Sequence, residues 1–257
     1  LNAVLRIATP LPAGKYLHWD ELRHRPPPEG LSHEAWWASV IFARNAQMQS
    51  LPLLDKRGES FKFAMPSPVL VDLHHIDRDA AGQLHAQSDG PLHDDPKRYL
   101  LSSLIEEAIT SSQLEGASTT RKVAAAMLRS GRRPRDHSET MIFNNYRAME
   151  HLRSLKHTPI TPQAILDLHR LLTENTLDNP EDAGRLRLSD DVQVVDSRDH
   201  TILHVPPPHA ELPARLERLC AFANSDETAI PFVHPVLRAI LLHFMIGYDH
   251  PFVDGNG

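Results

Sequence analysis

Residues 236 to 248, from Val236 to Tyr248, are apolar apart from Arg238, His243 and the phenol of Tyr248. A run of that length and composition reads as a helix that is hydrophobic nearly all round, and such a helix is expected at the buried centre of a bundle. Pro251 then breaks it, because proline has no N–H to give and clashes with the preceding turn. Surrounding one such helix takes others, so the expected class is mostly α, a helical bundle. The run ends by delivering His250, Asp254 and a Gly255-Asn256-Gly257 loop to one place.

The chemistry open to those residues follows from their types. Gly255 and Gly257 allow backbone N–H groups to converge as an anion-binding nest, for which phosphate is the natural guest. A helix starting just beyond Gly257 would strengthen that preference through its free N–H groups and dipole. Asp254 offers hard oxygen atoms of the kind Mg²⁺ takes, with phosphates and water completing its shell. His250 has an ordinary pKa within the working range of a general base.

His250, Phe252, Asp254, Gly255, Asn256 and Gly257 together resemble the signature of the Fic (Fido) family: His, any residue, Phe, any residue, Asp or Glu, then Gly-Asn-Gly-Arg, with a second arginine three residues on. The resemblance implies a helical Fic-like bundle with one β-hairpin flap. It implies that His250 takes the proton from a target hydroxyl, Asp254 holds Mg²⁺, and the backbone of Gly255, Asn256 and Gly257 cradles nucleotide phosphates. Phe252 would be an apolar anchor under the loop. The sequence ends one residue short of the first signature arginine, and the 257 residues by themselves are expected to turn over little or nothing.

A second motif lies upstream. Leu101, Leu104, Ile105, Ala108 and Ile109 follow helical spacing from Pro96 onward, and Gly116 ends the pattern as a C-cap would. Ser111 and Glu115 share a face, and an acidic residue in a last turn opposes the helix dipole, so a positive partner is expected. Ser111, Glu115 and Gly116 resemble the inhibitory helix of many Fic proteins, placed here at about residues 97–116. The resemblance implies that Glu115 pairs with the second signature arginine and keeps it from the γ-phosphate of ATP.

The rest of the chain supplies the frame. Residues 1 to 30, with Pro26-Pro27-Pro28, read as an extended connector. Helices are expected over 34–49 with Trp36, Trp37, Val40, Ile41 and Ala43 inward, 68–78, 121–128, 138–155, 161–175, 212–224 and 233–248. In the 161–175 helix, His169 beside the apolar face reads as a hydrogen-bonded boundary histidine rather than a ligand. The one clear β signal is a hairpin, with Val192, Gln193, Val194 and Val195 as its first strand and 201–205 as its second. Its free edge suits an extended peptide, and a Fic flap at this place docks the target segment. Gly184 and Arg187 also resemble the family, while Leu186 stands where an aromatic is common. The expected division is an N-terminal helical extension over 1–94 and a Fic domain over 95–257.

A net charge of −6 argues against a dominant nucleic-acid surface in this segment. No run approaches the ~18 apolar residues of a membrane span. The single Cys220 fits an apolar helix face and excludes an internal disulfide. A cytoplasmic protein is expected, and the sequence leaves room for a homodimer. The leading reading is a protein adenylyltransferase that moves AMP from ATP to a Tyr, Ser or Thr hydroxyl of a target protein, with ATP and Mg²⁺ as its small-molecule partners and Glu115 as its restraint. Two alternatives stay open: a non-catalytic nucleotide-sensing or interaction module, and a Fic-type enzyme that transfers or removes another phosphate-containing group.

Overall fold

The computed structural model describes residues 8–80, 96–196 and 198–255, which form two compact units: 8–54 with 59–80, and 55–58 with 96–196 and 198–255. In the first unit, helices α1 (Trp19–Leu22) and α2 (His33–Asn45) enclose a small core of Leu17, Leu22, Trp36 and Val40. Ser32 caps α2 by accepting the Ala35 N–H at 3.2 Å. Arg44 is buried, donating to the carbonyls of Pro10 (3.0 Å) and Leu17 (2.8 Å). The N-terminal stretch is therefore tied into a core of its own rather than serving only as a connector, and Ile41, expected inward, is exposed.

The same unit holds a hairpin that the sequence reading did not include, β1 (Gln49–Leu54) with β2 (Ser60–Phe63). Pro52 argues against a strand on sequence grounds because it cannot donate to a ladder. Here it faces outward within a register shift between Ser50 and Leu54, while Leu51 and Leu53 are buried. Helix α3 (Ser67–Ala80) follows.

The second unit holds α4 (Pro96–Leu114), α5 (Arg121–Ser130), α6 (His137–Ser154), α7 (Pro162–Leu172), α8 (Leu212–Ala223) and α9 (Pro235–Asp249). Helix α4 packs on α5 and α6, α6 on α7, α7 on α8, and α8 on α9. Ile105, Ile109, Ala124, Met127 and Ile142 form the core of the first three, each isoleucine and the methionine contributing roughly 1.5–3 kcal/mol by burial. Thr161 caps α7 through the Ala164 N–H at 3.1 Å, with Pro162 opening the helix as expected. With nine α-helices and two two-stranded sheets among the described residues, the protein is mostly α.

Helix α9 departs from the expectation of a fully buried centre. Only Met245 and Asp249 in it are buried, while Ile240 and Phe244 are 58% and 46% exposed. Its apolar surface is wider than the face that α8 covers. Leu242 and Ile246 line an apolar groove of about 850 Å³ together with Leu168, Leu219 and Cys220.

The start of α6 is fixed by a buried ion pair. Asp136 accepts the Glu139 N–H at 2.8 Å, and the Glu139 carboxylate takes both Arg132 Nη groups (2.6 and 2.7 Å) and the Arg135 N–H (2.8 Å). The Arg132 hydrogen bonds bring the Glu139 pKa from 4.5 down to about 2. A carboxyl group whose pKa is depressed on folding stabilises the fold above its unfolded value and loses that contribution as pH falls through its folded value. Glu139→Gln should therefore cost about 1–3 kcal/mol at pH 7, and should remove part of the loss of stability between pH 4.5 and 2. Urea midpoints measured across that range check both effects.

Candidate active site

Helix α9 ends at His250, whose backbone is left-handed (φ 44°, ψ 60°) and whose N–H still reaches the Ile246 carbonyl at 2.9 Å. That conformation costs an L-residue about 1–2 kcal/mol, so it persists only where neighbours hold it. Arg187 does so: its Nε donates to the His250 carbonyl at 2.9 Å and its backbone N–H to the Pro251 carbonyl at 2.9 Å. The same buried guanidinium donates to the carbonyls of Ser189 and Pro207 and to Asp190 Oδ1. One residue earlier, buried Asp249 accepts Arg215 Nε at 2.8 Å, fastening the last turn of α9 to α8. Burial raises the Asp249 pKa, and Arg215 opposes the rise.

The loop beyond His250 rests on α7. Phe252 is buried and lies flat on the His169 ring, with centroids 3.7 Å apart and planes 8° from parallel. His169 Nδ1 accepts the Gly184 N–H at 2.8 Å, which leaves Nε2 to carry the proton and donate it to the Asp254 carbonyl at 2.9 Å. Gly255 has φ +72°, and a Cβ there would stand 2.7 Å from Thr173 Cγ2 and 3.2 Å from His169 Nε2. Its N–H donates to the Asp254 carboxylate at 2.7 Å.

A cavity of about 710 Å³ joins the two sequence motifs. Ser111, Ser112, Glu115 and Gly116 line one wall, Met141 and Asn145 of α6 another, and His250, Asp254 and Gly255 a third, with Val194 of the flap beside them. Gly116 follows α4 at φ +99°, and Asn145 Nδ2 holds Ser112 Oγ at 3.2 Å. Glu115 is exposed in this wall, with no ion pair among the described residues.

The flap is shorter than the sequence suggested: β3 is Val194–Val195 and β4 is Ile202–His204. Val194 pairs with His204, which would set Val192 opposite Pro206, and proline cannot extend the ladder. Val192 and Gln193 therefore lie outside the strand. His204 Nε2 donates to the Tyr248 carbonyl at 2.7 Å, tying the second strand to α9.

Set against known families, residues 159–257 match the Fic/DOC family. That match covers 99 of the 257 residues, and over that stretch the chain is similar to the Fic/DOC family. It is 28% identical over 169 residues to protein adenylyltransferase Fic of Nematostella vectensis, covering 63% of this chain and 36% of that protein. The protein of the same name from Drosophila melanogaster is 28% identical over 185 residues, covering 70% of this chain and 34% of its own length. The chain thus spans about a third of the length of these curated relatives. Among solved structures, the fold resembles that of a Fic domain containing signaling protein from Bacteroides thetaiotaomicron (TM-score 0.54, 22% identity, 62% of this chain and 60% of that one). It also resembles a Fic family protein from Desulfovibrio desulfuricans (TM-score 0.57, 19% identity, 76% of this chain and 55% of that one).

His250 is half-buried, and burial sets its pKa below the ordinary 6.5, with Arg187 and His204 adding to the shift. Its imidazole is neutral at pH 7 and able to accept a proton. No cluster of three or more His, Cys, Asp or Glu side chains suited to a metal occurs among the described residues. A single exposed carboxylate at Asp254 fits Mg²⁺ that arrives with phosphate oxygens, since that ion needs only one or two protein carboxylates. Asn256 and Gly257 lie outside the described residues, so Gly255 alone represents the expected phosphate cradle.

Sequence reasoning placed His169 at a boundary without its role, and gave no role to Thr173, Asp249 or Arg215. The only local trace is the i,i+4 spacing of His169 and Thr173, which puts both on one face of α7. Gly255→Ala should lower the thermal midpoint by several degrees, combining a left-handed backbone cost of about 1–2 kcal/mol with the clash at Thr173. Adding Thr173→Ser, which removes Cγ2 but keeps the hydroxyl that donates to the His169 carbonyl, should restore part of the loss in calorimetry.

Proposed function

We propose that this chain carries the catalytic core of a protein adenylyltransferase, which moves AMP from ATP to a side-chain hydroxyl of a target protein and is restrained by Glu115. The observation that carries the reading is the shared cavity, in which Glu115 and Gly116 face the same space as His250, Asp254 and Gly255, beside Val194 of the flap. The names of the curated relatives support the same class of reaction.

In this mechanism the flap edge at β3 aligns an extended target segment so that its hydroxyl meets His250. Neutral His250 takes the hydroxyl proton as the oxygen attacks the α-phosphorus in line. A new O–P bond forms, the bond from the α-phosphorus to the bridging oxygen breaks, and its electron pair leaves with pyrophosphate. The Gly255 N–H, with the amides that follow it, stabilises charge on the phosphate oxygens. Mg²⁺ held through Asp254 neutralises phosphate charge when bound. Glu115 acts by engaging the signature's second arginine, so that the γ-phosphate is not held and the α-phosphate is not aligned.

The test is self-labelling with α-phosphate-labelled ATP, using this chain and a version continued through the two signature arginines. In the continued version Glu115→Gly should raise labelling by about 5–150-fold, the range of ordinary allosteric couplings. His250→Ala added to it should reduce labelling by about 10²–10⁴-fold. Labelling no higher in Glu115→Gly than in wild type sinks the restraint, and Mg·ATP binding without labelling of any protein favours the interaction-module reading.

The reaction should also report the environment of His250. Because burial lowers its pKa, the neutral base persists below the pH at which an ordinary histidine would be half-charged. The kcat/KM profile should fall on the acid side with a midpoint below 6.5 and level off toward higher pH. A midpoint above that value contradicts the assignment of His250 as base.

A further inference from the structure

We propose that His169 is a positioning residue for the nucleotide loop: it fixes the direction of the peptide joining Asp254 to Gly255, and so aims the Gly255 N–H into the cavity. The inference rests on the proposed function for what the loop binds, but its structural part stands alone.

His169 sits on the inward face of α7 and is 3% exposed. The hydrogen bond that Nδ1 accepts from the Gly184 N–H selects one tautomer, and that tautomer makes Nε2 a donor to the Asp254 carbonyl. In a trans peptide the C=O and N–H point in opposite directions. With the Asp254 carbonyl drawn toward α7, the Gly255 N–H must point away from it, toward the Asp254 carboxylate on the cavity wall.

That orientation needs an agent. A peptide followed by glycine can rotate as a unit at low cost, because glycine accepts both signs of φ. Gly255 is held at φ +72° against Thr173 and His169, where a Cβ has no room. Packing therefore demands glycine, and glycine permits the reversed peptide. The hydrogen bond from Nε2 removes that freedom, while the stacked Phe252 ring keeps the imidazole in plane to make it.

The two functions of the ring, packing and hydrogen bonding, separate in two variants. H169F keeps a flat ring on Phe252 and loses both nitrogens; H169Q loses the ring and keeps an amide donor near the position of Nε2. If His169 were only core, H169F would be the milder change in every measurement. Positioning predicts crossed orders: H169F at least as stable as H169Q to heat, yet with Mg·ATP affinity lowered about tenfold or more, while H169Q stays within about threefold of wild type.

The Gly255 amide provides a readout without nucleotide. Its ¹⁵N–¹H resonance should shift or broaden in H169F and return toward the wild-type position in H169Q. An unchanged Gly255 amide in H169F overturns the proposal, as does Mg·ATP binding by H169F equal to that of a binding-competent wild type. If wild type does not bind Mg·ATP, the proposed function fails while the amide resonance still decides the role of His169. Ring ¹⁵N shifts of wild-type His169 decide the case even where a variant does not fold: a bare Nδ1 and a protonated Nε2 support it, and the reverse tautomer overturns it.

Discussion

The buried guanidinium of Arg187 is the contact on which the arrangement of the site depends. It takes the Ser189 carbonyl and Asp190 on the approach to the flap, the Pro207 carbonyl on the exit from it, and the His250 carbonyl at the end of α9. A planar fork with donors in several directions can satisfy three carbonyls and a carboxylate at once, whereas a lysine ammonium at the end of a flexible stem cannot. The two ends of the flap and the turn that displays His250 are therefore parts of one hydrogen-bonded unit. The left-handed backbone at His250 is tolerated because its carbonyl is spoken for.

Two histidines in the site show how environment divides one residue type between two jobs. Burial lowers the pKa of both. His169 has each ring nitrogen committed, to Gly184 and to Asp254, and serves geometry. His250 is half-exposed at the cavity and serves proton transfer in the proposed reaction. Asn144 supports the same platform by donating to the carbonyls of Leu172 and Glu174, closing the end of α7 beneath the loop. Helix α7 thus acts as the anvil on which the loop after α9 is shaped.

What the sequence made legible were features whose cause is local. The Thr161-Pro162 start of α7, the Ser32 cap of α2 and the break after α9 are dictated by residues within one turn of the event, and each stands where it was expected. Legibility ended where the cause lay far along the chain. Pro52 spoke against a strand, yet it faces outward at a register shift within β1. The largely apolar composition of α9 carried little sign of which face α8 would cover, so its burial was overestimated. Val192 and Gln193 looked like strand, but the register sets Val192 opposite Pro206, and the ladder begins only at Val194. His169 reaches a carbonyl 85 residues away, and no pattern within α7 records that partner.

The short bond between the Gly255 N–H and the Asp254 carboxylate has a further consequence. The loop's outward-facing amide and the nearest anionic side chain neutralise each other, so the resting site is an internally compensated dipole. A lone anion approaching it competes with a carboxylate tethered at very high local concentration. A lone cation must draw that carboxylate from its amide and leave the amide unpaired. Only a ligand that brings both signs together, a cation for the carboxylate and an acceptor for the amide, exchanges one satisfied arrangement for another.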